Sequence, residues 1–146
     1  MNKMIKRISD LEAQYVRQVL STNFRSSSGA SMMSRLEEAF SKKFSTKYAI
    51  SFVNGTSTMH ASLEAMGISE GDEVIVPPLT MSATAFAVLQ ANATPVFADV
   101  DIDTFVIQSD SIKDKITSKT KAIITVALYG LSPDMDEINK LAQNKN

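Results

Sequence analysis

Residues 54–58 read Asn-Gly-Thr-Ser-Thr and lie between an apolar run, residues 48–53, and a helical pattern that begins near Thr58. This order predicts a strand, a glycine turn and the start of a helix. Such a turn presents free backbone N–H groups at the positive end of a helix dipole, where phosphate binds well. A helix N-cap without any ligand explains the same residues. The stretch alone leaves both interpretations open.

Short apolar runs alternate with helical patterns after this stretch. Strands are predicted over residues 74–76, 94–98 and 122–126, and helices over residues 82–91, 109–116 and 135–141. The alternation predicts an α/β fold with three layers, α-β-α, around a mostly parallel sheet. Ligands of such folds bind at the carboxyl ends of the strands. The Gly55 turn is predicted to lie at one such end.

Two further helices are predicted before the Gly55 turn, and one directly after it. Their apolar stripes consist of Ile8, Leu11, Tyr15 and Val19, then Met32, Met33, Leu36, Phe40 and Phe44, and finally Met59, Leu63 and Met66. Ser34 and Glu37 have capping-box spacing, although Ser31 is an alternative start for the second helix. Gly67 is predicted to end the third helix. His60 lies off that helix's stripe and is predicted to be partly exposed.

Composition excludes several classes of function. The 146 residues carry a net charge of −1, which offers no electrostatic surface for nucleic acid or an anionic membrane. The absence of Cys excludes disulfides, thiolate metal sites and Cys nucleophiles, and the single His, His60, argues against a His-based metal cluster or a Ser-His-Asp triad. No apolar run approaches a membrane span, and the first residues lack a signal-peptide core. A cytoplasmic protein is therefore predicted.

Several motifs in a fixed order resemble one known family. They are Asn54-Gly55-Thr56-Ser57, Gly71-Asp72-Glu73-Val74-Ile75-Val76-Pro77, Ala93-Thr94-Pro95-Val96-Phe97-Ala98-Asp99-Val100-Asp101, Thr120-Lys121-Ala122-Ile123-Ile124, Leu128-Tyr129-Gly130 and Asp134-Met135-Asp136. Together they resemble the DegT/DnrJ/EryC1/StrS aminotransferases, pyridoxal 5'-phosphate (PLP) enzymes that aminate keto sugars on nucleotide carriers. The resemblance covers nearly the whole chain.

The resemblance implies the N-terminal part of the large, PLP-binding domain of a fold type I aminotransferase. Residues 1–30 would form an N-terminal helix and loop, and residues 31–146 the βα units. The remainder of that domain and the C-terminal small domain would be absent. The family further implies a homodimer with a shared active site, and a nucleotide sugar and an amino acid donor as partners.

The family's pattern assigns cofactor-binding roles to four residues. By resemblance, Gly55, Thr56 and Ser57 hold the PLP phosphate through the N–H groups of Thr56 and Ser57 and the Thr56 hydroxyl. Met81 occupies the position where many relatives stack an aromatic ring on the pyridine, and a thioether can pack there too. Ordinary core filling is the alternative for Met81. Ala127 stands where relatives often carry His, which leaves a substrate contact at this position in doubt.

No residue of this sequence is assigned a catalytic role. The Schiff-base lysine and the aspartate that pairs with the pyridine nitrogen are expected beyond Asn146, and no lysine present lies in the family's motif. The implied reaction transfers an amino group, with glutamate as the expected donor, to a nucleotide-linked keto sugar in polysaccharide or lipopolysaccharide biosynthesis. The alternatives are a PLP- or pyridoxamine-phosphate (PMP)-dependent sugar dehydratase on the same scaffold and a non-catalytic, truncated remnant.

Two structural expectations follow from the resemblance. The polar loop of residues 21–29 is expected to be exposed near a dimer interface. The strand before Gly55 is expected to lack its neighbours, which come from later in the chain of the relatives. These 146 residues are therefore not expected to form a self-sufficient fold.

Overall fold

The computed structural model describes residues 7–22 and 31–143. The chain divides into two compact units, Met1–Ser51 and Phe52–Asn146. The helices are α1 (Asp10–Ser21), α2 (Ser31–Phe44), α3 (Gly55–Ala65), α4 (Ala83–Gln90), α5 (Ser109–Lys115) and α6 (Met135–Gln143), and the strands are β1 (Glu73–Val76), β2 (Thr94–Phe97) and β3 (Thr120–Ile123). A 3-10 turn covers Leu128–Gly130. Among the described helices, none is both long and apolar enough to cross a bilayer.

The first unit contains α1 and α2. Ser9 and Glu12 form a capping box at the start of α1, which explains why the helix begins at Asp10. Helix α2 begins at Ser31 rather than Ser34, so the second of the two predicted starts is confirmed. None of the described residues in this unit is buried, and Leu11, Leu36 and Phe40 are at least half exposed. The unit therefore has no closed core of its own.

The second unit is built on a three-stranded parallel sheet in the order β2-β1-β3. Strand β1 lies in the centre, and its residues Val74, Ile75 and Val76 are fully buried. A strand with both faces covered reads as a continuous apolar run because neither face meets water. The predicted parallel sheet is thus confirmed for the strands that follow α3.

Helices cover both faces of this sheet. Successive side chains of β1 point to opposite faces, so Val74 and Val76 pack in one core and Ile75 in the other. The first core includes Leu63 of α3 and Val88 of α4, and the second includes residues of α5 and α6. This arrangement is the predicted three-layer α/β fold.

Some predicted boundaries are wrong. Residues 48–53 form no strand, because a strand needs a hydrogen-bonded neighbour and the described sheet consists of β1, β2 and β3 only. Strand β3 begins at Thr120 rather than residue 122, since its register pairs Thr120 with Glu73 of β1. The expectation for the loop of residues 21–29 falls largely on residues 23–30, outside the described part of the chain.

Candidate functional site

The carboxyl ends of β1 and β3 form a topological switch point. The chain leaves β1 for α4, which packs on one face of the sheet, and leaves β3 for α6, which packs on the other face. Because β1 and β3 are neighbours, their outgoing loops lead to opposite faces of the sheet, which is the topology that opens a crevice in such folds. Open α/β sheets bind their ligands in such a crevice.

Helix α3 directs its first turn toward the same edge. The end of α3 connects through a short loop to the start of β1, so the helix runs opposite to the strand and begins near the carboxyl edge. It packs in the same layer as α4, through Leu63 and the half-buried Met59. The topology therefore brings the start of α3 to the edge where the switch point lies.

The start of α3 differs from the prediction. The helix begins at Gly55 rather than near Thr58, so Gly55, Thr56 and Ser57 form its first turn. Asn54 is the N-cap, and its Oδ1 accepts the N–H of Ser57 at 2.9 Å. A helix N-cap, which the sequence left open as one interpretation of residues 54–58, is therefore present at Asn54.

The first turn of α3 offers donors to an anion. The N–H groups of Gly55 and Thr56 have no acceptor inside the helix, as for any helix start. Within the described residues, neither the Thr56 nor the Ser57 hydroxyl has a hydrogen-bond partner, whereas the Thr58 hydroxyl donates to the Asn54 carbonyl at 3.2 Å. The Ser57 N–H can reach a ligand only if the Asn54 side chain turns away. The N–H of Thr56 can bind a ligand without any movement of the Asn54 side chain.

Neither a close contact within the described residues nor the backbone conformation requires a glycine at position 55. A Cβ built on Gly55 meets nothing within 4 Å, and its φ is outside the left-handed region that favours glycine. Glycine in a helix costs about 1 kcal/mol relative to alanine, less at the very start. The bare backbone therefore leaves space for a group from outside this chain, which suits a phosphate that must approach the N–H groups closely.

Met81 precedes α4 in the loop that leaves β1. Its side chain is 77% exposed, so it fills no core within the described residues, and its role stays a prediction. The hydroxyls of Thr80 and Thr84 hydrogen-bond to each other at 3.2 Å beside it, and Thr84 is buried. This bond links the loop to the first turn of α4, next to the exposed Met81 side chain.

The loop that leaves β3 contains Tyr129, which belongs to the motif Leu128-Tyr129-Gly130 but has no predicted role of its own. Tyr129 has a left-handed backbone, φ 52° and ψ 21°, and its side chain is 98% exposed. The turn is closed by a hydrogen bond from the Gly130 N–H to the Ala127 carbonyl, 3.0 Å. Ala127 itself is exposed. Only the backbone reveals this positive φ, which Ser45, Asn92 and Phe105 also have.

The loop after β2 is held by one carboxylate. Asp101 accepts hydrogen bonds from the N–H groups of Asp103 and Thr104, from the Thr104 hydroxyl and from the Gln108 amide. The bond from the Thr104 N–H is the main reason that the pKa of Asp101 lies below its ordinary value. Because these contacts engage both carboxylate oxygens, Asp101 has a structural role in the loop.

Metal chemistry has no support in the described residues. They contain no group of three His, Cys, Asp or Glu side chains that could hold a metal ion. His60 pairs with Glu64 one turn along α3, with 3.2 Å between Nε2 and Oε1, and is partly exposed as predicted.

Comparison with known proteins gives the family. The model of the DegT/DnrJ/EryC1/StrS aminotransferase family matches residues 6–146. The chain belongs to this family. A DegT/DnrJ/EryC1/StrS relative, GDP-perosamine synthase from Escherichia coli O157:H7, is 43% identical over 135 residues. That match covers 92% of this chain and 37% of the relative, so the chain spans just over a third of the relative's length.

Solved structures of the DegT/DnrJ/EryC1/StrS type share the fold. The aminotransferase from Psychrobacter cryohalolentis superposes with a TM-score of 0.87 at 37% identity, over 99% of this chain and 36% of that chain. NtdA from Bacillus subtilis, solved with bound cofactor PMP, gives a TM-score of 0.82 at 30% identity, over 98% of this chain and 35% of that chain. The aminotransferases of this family use PLP. The donor set at the start of α3 fits the phosphate of that cofactor.

Proposed function

We propose that this chain forms the N-terminal, phosphate-binding part of a PLP-dependent sugar aminotransferase. The enzyme would move an amino group from an amino acid donor, glutamate, to a nucleotide-linked keto sugar in polysaccharide or lipopolysaccharide biosynthesis. It would act in the cytoplasm as a homodimer with a shared active site. The similarity to GDP-perosamine synthase supports a nucleotide-linked substrate. The chain's own contribution is to bind and orient the cofactor.

The observation that carries the proposal is the open first turn of α3. Gly55 leaves its backbone accessible, with nothing within 4 Å of a Cβ placed there. The N–H of Thr56 and the hydroxyls of Thr56 and Ser57 would hold the phosphate, and the helix dipole favours its negative charge. The start of α3 is fixed by the Asn54 cap. A rigid donor set of this kind positions the cofactor with little entropy lost on binding.

Met81 would contact the pyridine ring of the cofactor. It lies in the loop from β1 at the carboxyl edge of the sheet, 77% exposed. A thioether is polarizable and packs well against an aromatic ring. When bound, PLP supplies an electron sink for amino-group chemistry, and Met81 would cover one ring face and exclude water there.

Gly55→Ala separates cofactor binding from stability. Alanine is a better helix former than glycine and meets no atom at this position, so we expect unfolding stability to be unchanged or to rise by up to about 1 kcal/mol. The added methyl group lies where the phosphate approaches, so affinity for PLP should fall. Fluorescence titration with PLP and thermal unfolding measure the two effects. Equal PLP affinity for Gly55→Ala and wild type would contradict the assignment.

Gly67→Ala is the matched control. Gly67 follows α3 at a φ of 74°, where a side chain is strained, and it is remote from the first turn. The Gly67→Ala variant should lose stability, and it should keep its PLP affinity at temperatures where it remains folded. Gly55→Ala should lose PLP affinity without losing stability, and Gly67→Ala should lose stability without losing PLP affinity. This pair of results would show that the two measurements are independent.

PLP added to the 146-residue chain is expected to bind through its phosphate alone. Inorganic phosphate should compete with it, and borohydride should trap no stoichiometric adduct, because no lysine of this sequence is assigned to the cofactor. A single lysine trapped at one equivalent would overturn this part of the proposal. The reaction itself is tested on a full-length enzyme carrying this sequence, by transfer of ¹⁵N from labelled glutamate to a nucleotide-linked keto sugar.

A further inference from the structure

The described methionines differ in how their sulfur atoms are held. The Met135 sulfur lies 3.7 Å from the hydroxyl oxygen of Thr125. The Met32 sulfur lies 3.5 Å from Nη1 of Arg35. Met59 is half-buried and packs against the core between α3, α4 and the sheet. Each of these side chains is thus engaged by neighbouring groups of the chain.

Met81 is held by its backbone but not by its side chain. Its carbonyl accepts the N–H of Thr84 at 3.1 Å, which anchors the residue at the start of α4. Its side chain is 77% exposed, the largest value among the described methionines, and belongs to neither core. Within the described chain, the Met81 sulfur has no hydrogen-bond partner. An open thioether therefore projects from an ordered loop at the carboxyl edge of the sheet.

An open thioether reacts with peroxides. Hydrogen peroxide transfers an oxygen atom to the sulfur: the O–O bond breaks, an S–O bond forms, the sulfur is oxidised by two electrons, and the other oxygen leaves as water. The product is methionine sulfoxide, which is polar where the thioether is apolar. Methionine sulfoxide reductases reverse the change at the expense of a dithiol, which becomes a disulfide as water is released. At Met81 this exchange of apolar for polar character would not disturb a core.

We propose that Met81 is a site of reversible oxidation, at which hydrogen peroxide converts the thioether to the sulfoxide and thereby weakens cofactor binding. The inference rests on the proposed function, in which Met81 covers one face of the PLP ring. A bound ring would shield the sulfur from peroxide. A sulfoxide would lose the sulfur–aromatic contact and would place a strong hydrogen-bond acceptor against an apolar ring face.

Peroxide footprinting tests the shielding. A full-length enzyme carrying this sequence is freed of PLP, treated with hydrogen peroxide in the presence or absence of added PLP, and digested for mass spectrometry. Met66 is the internal control, because it is 61% exposed and lies at the end of α3, remote from the first turn. We expect PLP to slow the oxidation of Met81 several-fold and to leave that of Met66 unchanged. Without PLP, Met81 should be oxidised faster than the half-buried Met59.

Fluorescence of the same samples shows whether PLP is bound, so two failures can be told apart. Bound PLP with equal oxidation of Met81 in both samples would overturn this inference and leave the proposed function standing. The absence of any PLP binding would overturn both. Oxidation of Met81 that is slower than that of Met59 in the PLP-free enzyme would show that the sulfur is not open to solvent, and the inference would be wrong.

Variants test the effect on affinity. The oxidised enzyme should bind PLP about tenfold more weakly than the untreated enzyme, and methionine sulfoxide reductases with a dithiol should restore the affinity. Met81→Leu keeps an apolar side chain that peroxide does not oxidise, so its PLP affinity should be the same before and after treatment. The matched control, Met66→Leu, should stay as sensitive to peroxide as the wild type. Equal sensitivity of Met81→Leu and the wild type would overturn the proposal.

Thermal unfolding separates a local effect from general damage. Because Met81 belongs to neither core, oxidation should lower the melting temperature of the PLP-free wild type no more than that of Met81→Leu. A larger fall in the wild type would show that the sulfoxide at Met81 disrupts the fold. The loss of affinity would then follow from unfolding, and the proposed contact with the cofactor ring would not be its cause.

Discussion

The Oδ1 atom of Asn54 accepts the N–H of Ser57 at 2.9 Å, so the side chain that caps α3 uses one of the donors expected to hold a phosphate. A bound phosphate must either displace the Asn54 side chain from this donor or bind through the Thr56 N–H and the Thr56 and Ser57 hydroxyls alone. The same geometry makes Asn54 important for stability, because the cap satisfies a first-turn N–H that the helix cannot. Asn54 is therefore expected to affect both the stability of α3 and the binding of an anion at its first turn.

Asn54→Ala should lower the free energy of unfolding by about 1 kcal/mol, the usual effect of losing an N-cap. Asn54→Ser and Asn54→Asp keep an oxygen that can accept the Ser57 N–H, and should recover most of the loss. Urea denaturation of the three variants measures the difference. If Asn54→Ala were as stable as Asn54→Ser, the cap would contribute nothing to folding.

Asp101 should make the loop after β2 sensitive to acid. Its pKa is lowered in the folded protein, chiefly by the Thr104 N–H, so its stabilising effect is present above the unfolded pKa of about 4 and is lost as pH falls through the lower folded value. Asp101→Asn should flatten the fall of the melting temperature below about pH 4. The neighbouring Asp103→Asn, for which no comparable cluster of bonds exists, should keep the wild-type profile. Identical profiles for Asp101→Asn and wild type would contradict this role.

Glu37 should hold the end of the first unit against α2. Its Oε1 accepts the N–H of Ser51 at 2.8 Å and the Ser51 hydroxyl at 2.9 Å, and the N–H bond is the main cause of its lowered pKa. Glu37→Ala should therefore raise proteolytic cleavage within residues 45–51, where the backbone is irregular. Glu38→Ala, which removes only an exposed pair with Lys42, should leave cleavage unchanged. Equal cleavage of the Glu37→Ala and Glu38→Ala variants would contradict this role of Glu37.

Leu63 should be a main contributor to the core between α3, α4 and the sheet. It is 2% exposed, so Leu63→Ala should lower the free energy of unfolding by about 2–5 kcal/mol through lost burial and a cavity. Met66 lies on the same helix end but is 61% exposed, so Met66→Ala should change stability by no more than about 0.5 kcal/mol. Chemical denaturation compares the two. A small effect at Leu63 would mean that this layer is not packed as described.

The first unit should associate with other surfaces. Leu11, Leu36, Phe40 and Ile50 are each at least half exposed, and no described residue of the unit is buried. Exposed apolar area of this extent favours association. We expect the isolated 146-residue chain to aggregate or to unfold without a single cooperative transition, as measured by sedimentation and calorimetry. The stability comparisons of the variants are therefore made in a longer protein that carries this sequence. A monomer with one cooperative transition would show that the isolated chain is self-sufficient.

Sequence patterns determined the local elements of this protein. The apolar run at Val74, Ile75 and Val76 reads as a strand buried on both faces, and the helical stripe through Met59 and Leu63 reads as a helix, because burial on one or two faces leaves a period in the sequence. The order of motifs also identified the family. These features depend on neighbours within a few residues along the chain.

Only the tertiary structure decided the pairing of distant segments. Residues 48–53 have the composition of a strand but form none, since a strand exists only where another backbone meets its hydrogen-bonding groups. The same reason makes β3 begin at Thr120, where β1 supplies the partner. Periodicity could not show the strand order β2-β1-β3, because that order depends on which distant backbone segments meet.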